Sequence, residues 1–347
     1  MRTIEMCAGA GGQALGLHNA GFEHSVLIEI DKYACATLRH NNEALGLNWG
    51  PVLHEDLKKF AEEEAYKYAG KIDLVAGGVP CPPFSKAGLQ LGEDDERDLF
   101  PAALQIVSTV MPTAVMIENV AGLLDQKFTN YRESIILKLK EMGYKSEWRI
   151  LQASDFGVPQ LRPRAILIAF KESVFDLFKW PTATVLKPVT VGEALHDLMS
   201  SKGWQGASLW KTLANTVAPT LVGGSKKHGG PDLGPTRAKK QWQAINIYAH
   251  RVGNEDEIPG PEFQGVLLRD GTVKPGFEGM PLLNVRMAAR IQGFPDEWTF
   301  VGSKTHAYRQ VGNAFPPPVA QAIGESIREV ILSLKSKEIL LYNKCIF

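Results

Sequence analysis

The chain has 347 residues, with 38 basic and 38 acidic side chains, 44% apolar residues and 22% charged ones. That composition supplies ample core material and excludes intrinsic disorder as the dominant state. No apolar run approaches the roughly 18 residues of a membrane-spanning helix. The opening Met1-Arg2-Thr3-Ile4-Glu5-Met6 has no charged-then-apolar signal pattern. Four cysteines, Cys7, Cys35, Cys81 and Cys345, are too few for a disulfide framework. A reducing, cytoplasmic setting is expected.

In chain order, short β-rich runs alternate with helical patterns through the first half. Strands are expected at Thr3–Cys7, Ser25–Ile30, Ile72–Ala76, Ala114–Ile117, Lys145–Gln152 and Ala165–Phe170. Helices are expected at Gln13–Ala20, Lys32–Asn42, Asp56–Ala69, Leu99–Met111 and Tyr131–Met142. Such alternation predicts βαβ units and a parallel sheet covered on both faces. After Trp180-Pro181 glycine and proline become frequent, and the stretch to about Pro281 reads as a separate, loop-rich domain. Regular structure returns at Asn284–Gln292 and after Pro318, where Val319, Ile323, Ile327, Val330, Ile331 and Leu334 recur at helical spacing. Charge is uneven: Ser200–Arg251 holds eight basic residues and one acid, Asp232. With Trp204, Trp210 and Trp242 in the same block, it fits a polyanion-binding face or, equally, a solvated loop region.

Strand Thr3–Cys7 runs directly into Ala8-Gly9-Ala10-Gly11-Gly12-Gln13-Ala14, a strand-to-helix turn whose glycines let the backbone approach a ligand. The second strand ends at Glu29-Ile30-Asp31, where an acid can accept hydrogen bonds from ribose hydroxyls. Asp56 stands where a third strand should end and could meet an adenine amino group. Gly9-x-Gly11-x-x-Ala14 also satisfies the loose dinucleotide fingerprint, so an adenosine-containing ligand and a purely structural turn are both open at this point. Further on, Asp73-Leu74-Val75-Ala76-Gly77-Gly78-Val79-Pro80-Cys81-Pro82-Pro83-Phe84-Ser85 places a cysteine just past a buried strand. Ligands of open α/β sheets bind at such strand ends, and the Gly and Pro residues fix the loop as a nucleophile requires. Cys7 and Cys35 read as packing. The next strand brings Met116-Ile117-Glu118-Asn119-Val120 to the same edge, and alternation in Gln160-Leu161-Arg162-Pro163-Arg164 would place Gln160, Arg162 and Arg164 on one face.

These blocks, in this order, resemble the cytosine-C5 DNA methyltransferase family from Met1 to about Ser326, sparing residues 181–281. The Ala8–Gly12 turn resembles its S-adenosyl-L-methionine loop, Pro80-Cys81 its catalytic dipeptide, Glu118-Asn119-Val120 its glutamate motif and Gln160-x-Arg162-x-Arg164 its basic motif. Arg286-Met287-Ala288-Ala289-Arg290-Ile291-Gln292-Gly293-Phe294-Pro295 resembles the block that supports the recognition domain. Gly312-Asn313-Ala314-Phe315-Pro316 resembles the last block, which returns to the cofactor pocket. The chain departs from the family at Cys7, where Phe is usual, at Ile30, where Trp is frequent, and at Pro82-Pro83, where a Gln-containing pair is commoner.

The resemblance implies an α/β, Rossmann-like S-adenosylmethionine-dependent methyltransferase sheet with a smaller, loop-rich target-recognition domain. Residues 1–180 would form the catalytic and cofactor-binding domain and 181–300 the recognition domain, with 301–347 returning to the catalytic domain. Cofactor contacts are implied at Cys7, Ala8, Gly9, Ala10, Gly11, Gly12, Glu29, Ile30, Asp56, Leu57, Pro80, Leu99, Asn313 and Ala314. Catalysis is implied at Cys81, Glu118, Gln160, Arg162 and Arg164. Duplex contacts are implied at Ser85, Thr220, Gly223, Gly224, Lys226, Lys227, Arg237 and Lys239, the Thr220-Leu221 pair resembling the short marker of the family's recognition domains. Cytosine C5 is a poor nucleophile, so a thiolate must first add at C6, on a base flipped out of the stack. No metal is required, and no His/Cys cluster has ligand spacing. The implied enzyme is a monomer acting on duplex DNA away from membranes, either the modification arm of a restriction-modification system, with a cognate endonuclease acting independently on the same site, or an orphan or phage modification enzyme. The alternative is a tRNA cytosine-C5 methyltransferase with the same core, but that branch carries a Cys-Phe-Thr motif absent here. A nicotinamide oxidoreductase would account for the first turn but not for Pro80-Cys81, Glu118 or the basic block.

Overall fold

The computed structural model describes residues 1–80, 98–223 and 231–345, the side chains of 337–345 excepted. Strand β1 (Arg2–Met6), helix α1 (Gly12–Asn19), β2 (Glu23–Glu29), α2 (Lys32–Ala44), β3 (Val52–His54), α3 (Leu57–Glu63) and β4 (Leu74–Gly78) follow one another. Then come α4 (Phe100–Val110), β5 (Ala114–Val120), α5 (Thr129–Glu141), β6 (Tyr144–Gln152) and β7 (Pro163–Lys171). The seven strands form one sheet in the order β3-β2-β1-β4-β5-β7-β6. Strands β1 to β5 pair in parallel, and β7 runs antiparallel to β5. The expected mainly parallel α/β sheet is present.

Local chemistry sets the helix starts. Asp31 accepts from the N–H groups of Tyr33 and Ala34 at the head of α2, and Asp56 from that of Lys58 at the head of α3. Acids at strand ends therefore serve as N-caps. Helix α3 is shorter than its apolar pattern implied. It stops at Glu63, and the chain tightens into a 3-10 turn at Ala65–Tyr68. The core on one face joins Ile4, Met6, Val26, Ile28, Val75 and Ile117 to Phe60, Phe100, Val107 and Leu139 of α3, α4 and α5. On β2, His24 is buried, with Nε2 2.8 Å from the Ala14 carbonyl oxygen and its ring edge-on to Trp49.

The chain falls into two compact units: Met1–Leu151, Pro163–Thr182 and Val319–Phe347 form one, and Gln152–Arg162 with Ala183–Pro318 the other. The second unit contains α6 (Val191–Ser200), α7 (Ala207–Leu213), α8 (Thr236–Ala244), the hairpin β8 (Gly265–Leu267) and β9 (Val273–Glu278), α9 (Val285–Ile291) and α10 (Lys304–Asn313). A last helix, α11 (Pro317–Cys345), carries the chain on into the first unit. No helix among the described residues is long and apolar enough to cross a membrane.

Residues 181–281 are loop-rich, as expected, with three α-helices and one hairpin among the described residues. The start of α6 carried a readable signal, since Thr190 and Glu193 cap each other's backbone N–H in a capping box. The tryptophans do not form a polyanion-binding face. Trp204, Trp210 and Trp242 are buried, and Trp210 donates its indole N–H to the Asn246 carbonyl at 3.0 Å. Their bulk belongs to the core of that unit, in which Leu195, Met199, Leu233, Ile247 and Leu283 are also fully buried. Elsewhere in that unit two backbones touch: a Cβ on Gly312 would lie 2.5 Å from the Gly223 nitrogen and 2.6 Å from its Cα. Only glycine fits there.

Two outcomes follow. Gly312→Ala should destabilise the protein by about 1–3 kcal/mol, because backbone rather than a movable side chain receives the methyl, read as a lowered urea midpoint. Burial lowers the His24 pKa from 6.5 to about 4, against the opposing effect of the Ala14 carbonyl. The unfolded chain thus binds this proton first, and stability is lost as pH falls through the window from 6.5 to about 4. Relative to His24→Gln, the wild type should lose roughly 3 kcal/mol across that window, measured by urea unfolding at each pH. Parallel pH profiles would remove His24 as the cause.

Candidate active site

The carboxyl ends of the parallel strands β1, β2, β4 and β5 lie along one edge of the sheet. At the end of β1 the backbone turns left-handed at Cys7 (φ 48°), Gly9 (φ 54°) and Gly11 (φ 88°). Glycine adopts that conformation freely and cysteine under strain. Glu29, at the end of β2, clamps this turn: Gly9 N–H donates to its Oε2 and Asp31 N–H to its Oε1, each at 2.7 Å. Burial raises the Glu29 carboxyl pKa, and the same two N–H groups pull it back. Each oxygen keeps a lone pair for a further donor. Desolvation, with the Glu29, Glu5 and Asp56 carboxyls behind it, pushes the Cys7 thiol well above its ordinary range. A thiol held protonated is a packing group rather than a nucleophile. Beside the turn, Ile30 is 64% exposed, Asp56 is exposed and Leu57 buried. A Cβ on Gly9 would meet nothing within 4 Å.

The end of β4 is fastened from two sides. The Asn119 amide donates to the Val79 carbonyl at 2.8 Å, and Leu99 N–H to that of Pro80 at 3.3 Å. Asp98, nearly fully buried, accepts from Phe100 N–H and from the Tyr131 hydroxyl. The backbones of Pro80 and Leu99, nineteen positions apart in sequence, are therefore hydrogen-bonded to each other. Cys81 and Ser85 lie outside the described residues, as do Gly224, Lys226 and Lys227.

On β5, Glu118 pairs across the antiparallel ladder with Ile166, and Val120 with Arg164. Glu118 and Arg164 are thus diagonal neighbours on one face, within reach of long side chains. Arg164 Nε stands 2.8 Å from Glu118 Oε1, with both side chains about seven-eighths buried. A Cβ at Gly78 would lie 3.1 Å from Glu118 Oε2, so the glycine leaves the carboxylate its room.

The single face expected for Gln160, Arg162 and Arg164 is not formed. Strand β7 begins at Pro163, since Pro159 and Pro163 have no N–H to continue a ladder, and only Arg164 joins the sheet. Gln160 and Arg162 belong to the second unit. There Arg162 donates to the carbonyls of Leu221 (2.7 Å) and Gly312 (2.8 Å). Gln160 donates to Gln292 Oε1 (2.6 Å) and accepts from Leu221 N–H (2.8 Å). Gln292 in turn donates to the Ala314 carbonyl. This buried network ties together segments more than a hundred residues apart in sequence. Both side chains act as struts of that unit.

The other expected residues are placed as follows. Asn313 is exposed and Ala314 buried at the end of α10, both in the second unit. Thr220 donates its hydroxyl to the Leu161 carbonyl. Gly223 is required by its contact with Gly312, without appeal to phosphates. Lys239 is ion-paired with Asp232 at 2.6 Å, whereas Arg237 is exposed. Sequence reasoning missed Asn119, Asp98 and Tyr131 as fasteners of the β4 loop. Asn119 was adjacent to Glu118 in the motif, but nothing in the sequence announced the Asp98–Tyr131 bond.

Comparison with known proteins identifies the family. The family described as C-5 cytosine-specific DNA methylase matches residues 1–329. The chain is 49% identical over 332 residues to the Type II methyltransferase M.NaeI of Lentzea aerocolonigenes, covering 95% of this chain and 75% of that protein. It is also 49% identical over 335 residues to M.NgoMIV of Neisseria gonorrhoeae, covering 96% and 98%. Among solved structures, the Entamoeba histolytica methyltransferase EhMeth superposes with a TM-score of 0.63 at 14% identity, over 95% of this chain and 98% of its own. A DNMT2 mutant from Spodoptera frugiperda gives 0.60 at 16%, over 95% and 99%. These two likenesses concern the fold alone. With a family match over nearly its whole length and relatives at 49% identity, the chain belongs to the C-5 cytosine-specific DNA methylase family.

Proposed function

We propose that the protein transfers a methyl group from S-adenosyl-L-methionine to C5 of a flipped-out cytosine in a short, specific duplex sequence, through a covalent bond between Cys81 and C6. The observation that carries this reading is the Glu118–Arg164 pair at 2.8 Å, on the edge where β4 ends at Gly78 and the chain runs on to Pro80. The Type II names of the relatives support a role as the modification arm of a restriction-modification system.

The residues present fit the cofactor. A left-handed glycine turn with open space at Gly9, a carboxylate with spare lone pairs at Glu29, an exposed apolar side chain at Ile30 and an exposed acid at Asp56 meet along one edge. They suit a backbone-hugging chain, a ribose, an apolar ring face and an amino group in turn. When bound, S-adenosyl-L-methionine supplies an electrophilic methyl group. The chain's own residues do the rest. The Cys81 thiolate adds to C6 and forms the C–S bond, driving electron density toward N3 and O2. Glu118 shares the proton that N3 gains. Arg164 offsets the carboxylate charge and is available to O2, so the developing charge meets prearranged partners. After C5 is alkylated, its proton leaves to water and the C6–S bond breaks, returning the thiolate. Base flipping is required because C6 is unreachable within the stack.

Cys81→Ser should abolish methyl transfer while leaving the melting temperature and cofactor affinity unchanged, and 5-fluorocytosine duplex should trap an adduct on Cys81 by mass spectrometry. A fully active serine variant would end the covalent reading. With labelled cofactor, duplex DNA should accept label and tRNA should not. The reverse result would favour the tRNA reading. Glu29→Ala removes the acceptor shared by the turn and ligand, so calorimetry should show binding weakened by about 5- to 150-fold. Unchanged affinity would take Glu29 out of the site.

A further inference from the structure

Helix α8 has the sequence Thr236-Arg237-Ala238-Lys239-Lys240-Gln241-Trp242-Gln243-Ala244, without an acid. One fully buried side chain, Trp242, anchors it, and Lys239 on the same side meets Asp232. Arg237, Lys240, Gln241 and Ala244 follow the i, i+3, i+4, i+7 spacing of a single helical stripe. All four are exposed. Several other cations of the unit are engaged: Arg251 with Glu257, Arg290 with Asp197 and Asp296, and Lys202 with the Glu255 carbonyl. Lys187, Lys211 and Arg269 are exposed too, but none of them shares a helical stripe with a second exposed cation. Among the described residues, Arg237, Lys240 and Gln241 have no such partner. A nine-residue helix is about 13 Å long, and the B-DNA major groove, about 12 Å wide, admits a helix.

We propose that α8 is a recognition helix whose Arg237–Lys240–Gln241 face enters the major groove and reads purine edges. Arg237 and Lys240 donate to guanine O6 and N7, and Gln241 makes the two-bond contact to adenine N6 and N7. Charge complementarity selects the occupant: the face offers two cations and an amide and no carboxylate. Lys239 takes no part, because Asp232 holds its ammonium. The inference rests on the protein being a sequence-specific DNA methyltransferase.

Unmethylated genomic DNA treated with the wild-type enzyme and read by bisulfite sequencing yields its target motif. Arg237→Ala, Lys240→Ala and Gln241→Ala, checked for an unchanged melting temperature and cofactor affinity, are then read in the same way. Each should lower discrimination at one purine position by about 5- to 150-fold. Had these side chains met only phosphates, the motif would persist, binding would weaken on all duplexes and the salt slope would fall by about 0.9 per lost cation. That outcome overturns the base-reading role, as does an unchanged motif with unchanged affinity. A wild-type enzyme that methylates no duplex overturns the methyltransferase reading itself, and this inference with it.

Discussion

A strand buried on both faces can present polar chemistry only where it ends, and β1, β4 and β5 are such strands. Their interiors are Ile4 and Met6, Leu74 to Ala76, and Ala114 to Ile117, all almost without solvent exposure. Because the strands run parallel, their carboxyl ends share one edge. The left-handed turn after β1, the Glu29 clamp, the Pro80 exit and Glu118 are therefore collected there by the sheet itself. Glu5 measures the strength of the constraint. It is the one acid inside β1, and burial raises its pKa well above the ordinary carboxyl value.

The loops at this edge are fastened by side chains that perform no chemistry. Asn119 holds Val79, Asp98 bonds Tyr131, and Glu29 holds Gly9 and Asp31. Reacting groups must be placed to within a fraction of an ångström, and placement of that quality comes from the surrounding bonds. In the second unit the Gln160–Arg162–Gln292 network serves the same end by other means. A buried donor or acceptor left unmatched costs about 1–3 kcal/mol, so the backbone at Leu221, Gly312 and Ala314 has little freedom to choose another register.

Much of the candidate site was legible because its signals are local. Glycines at a strand-to-helix turn, an acid at a strand end and a Pro-Cys dipeptide after an apolar run each announce themselves within a few residues. Gln160 and Arg162 misled for the same reason. Their spacing matches a strand face, yet Pro159 and Pro163 end the ladder, and the decisive partners at Leu221, Gln292 and Gly312 are 59 to 150 residues away. The tryptophans misled because residue type alone does not say whether a ring is core or contact surface.

The sequence by itself determined the mainly parallel α/β sheet, the order of the chemical blocks and the family, because apolar periodicity and short motifs are properties of neighbouring residues. Tertiary structure alone decided which charges were available. Lys239 and Arg237 look alike in sequence, but helical phase turns the first toward Asp232 and leaves the second exposed. It alone paired Glu118 with Arg164, since an antiparallel register between β5 and β7 joins residues 46 positions apart. Contacts of that kind depend on chain crossings and register, which no local pattern encodes.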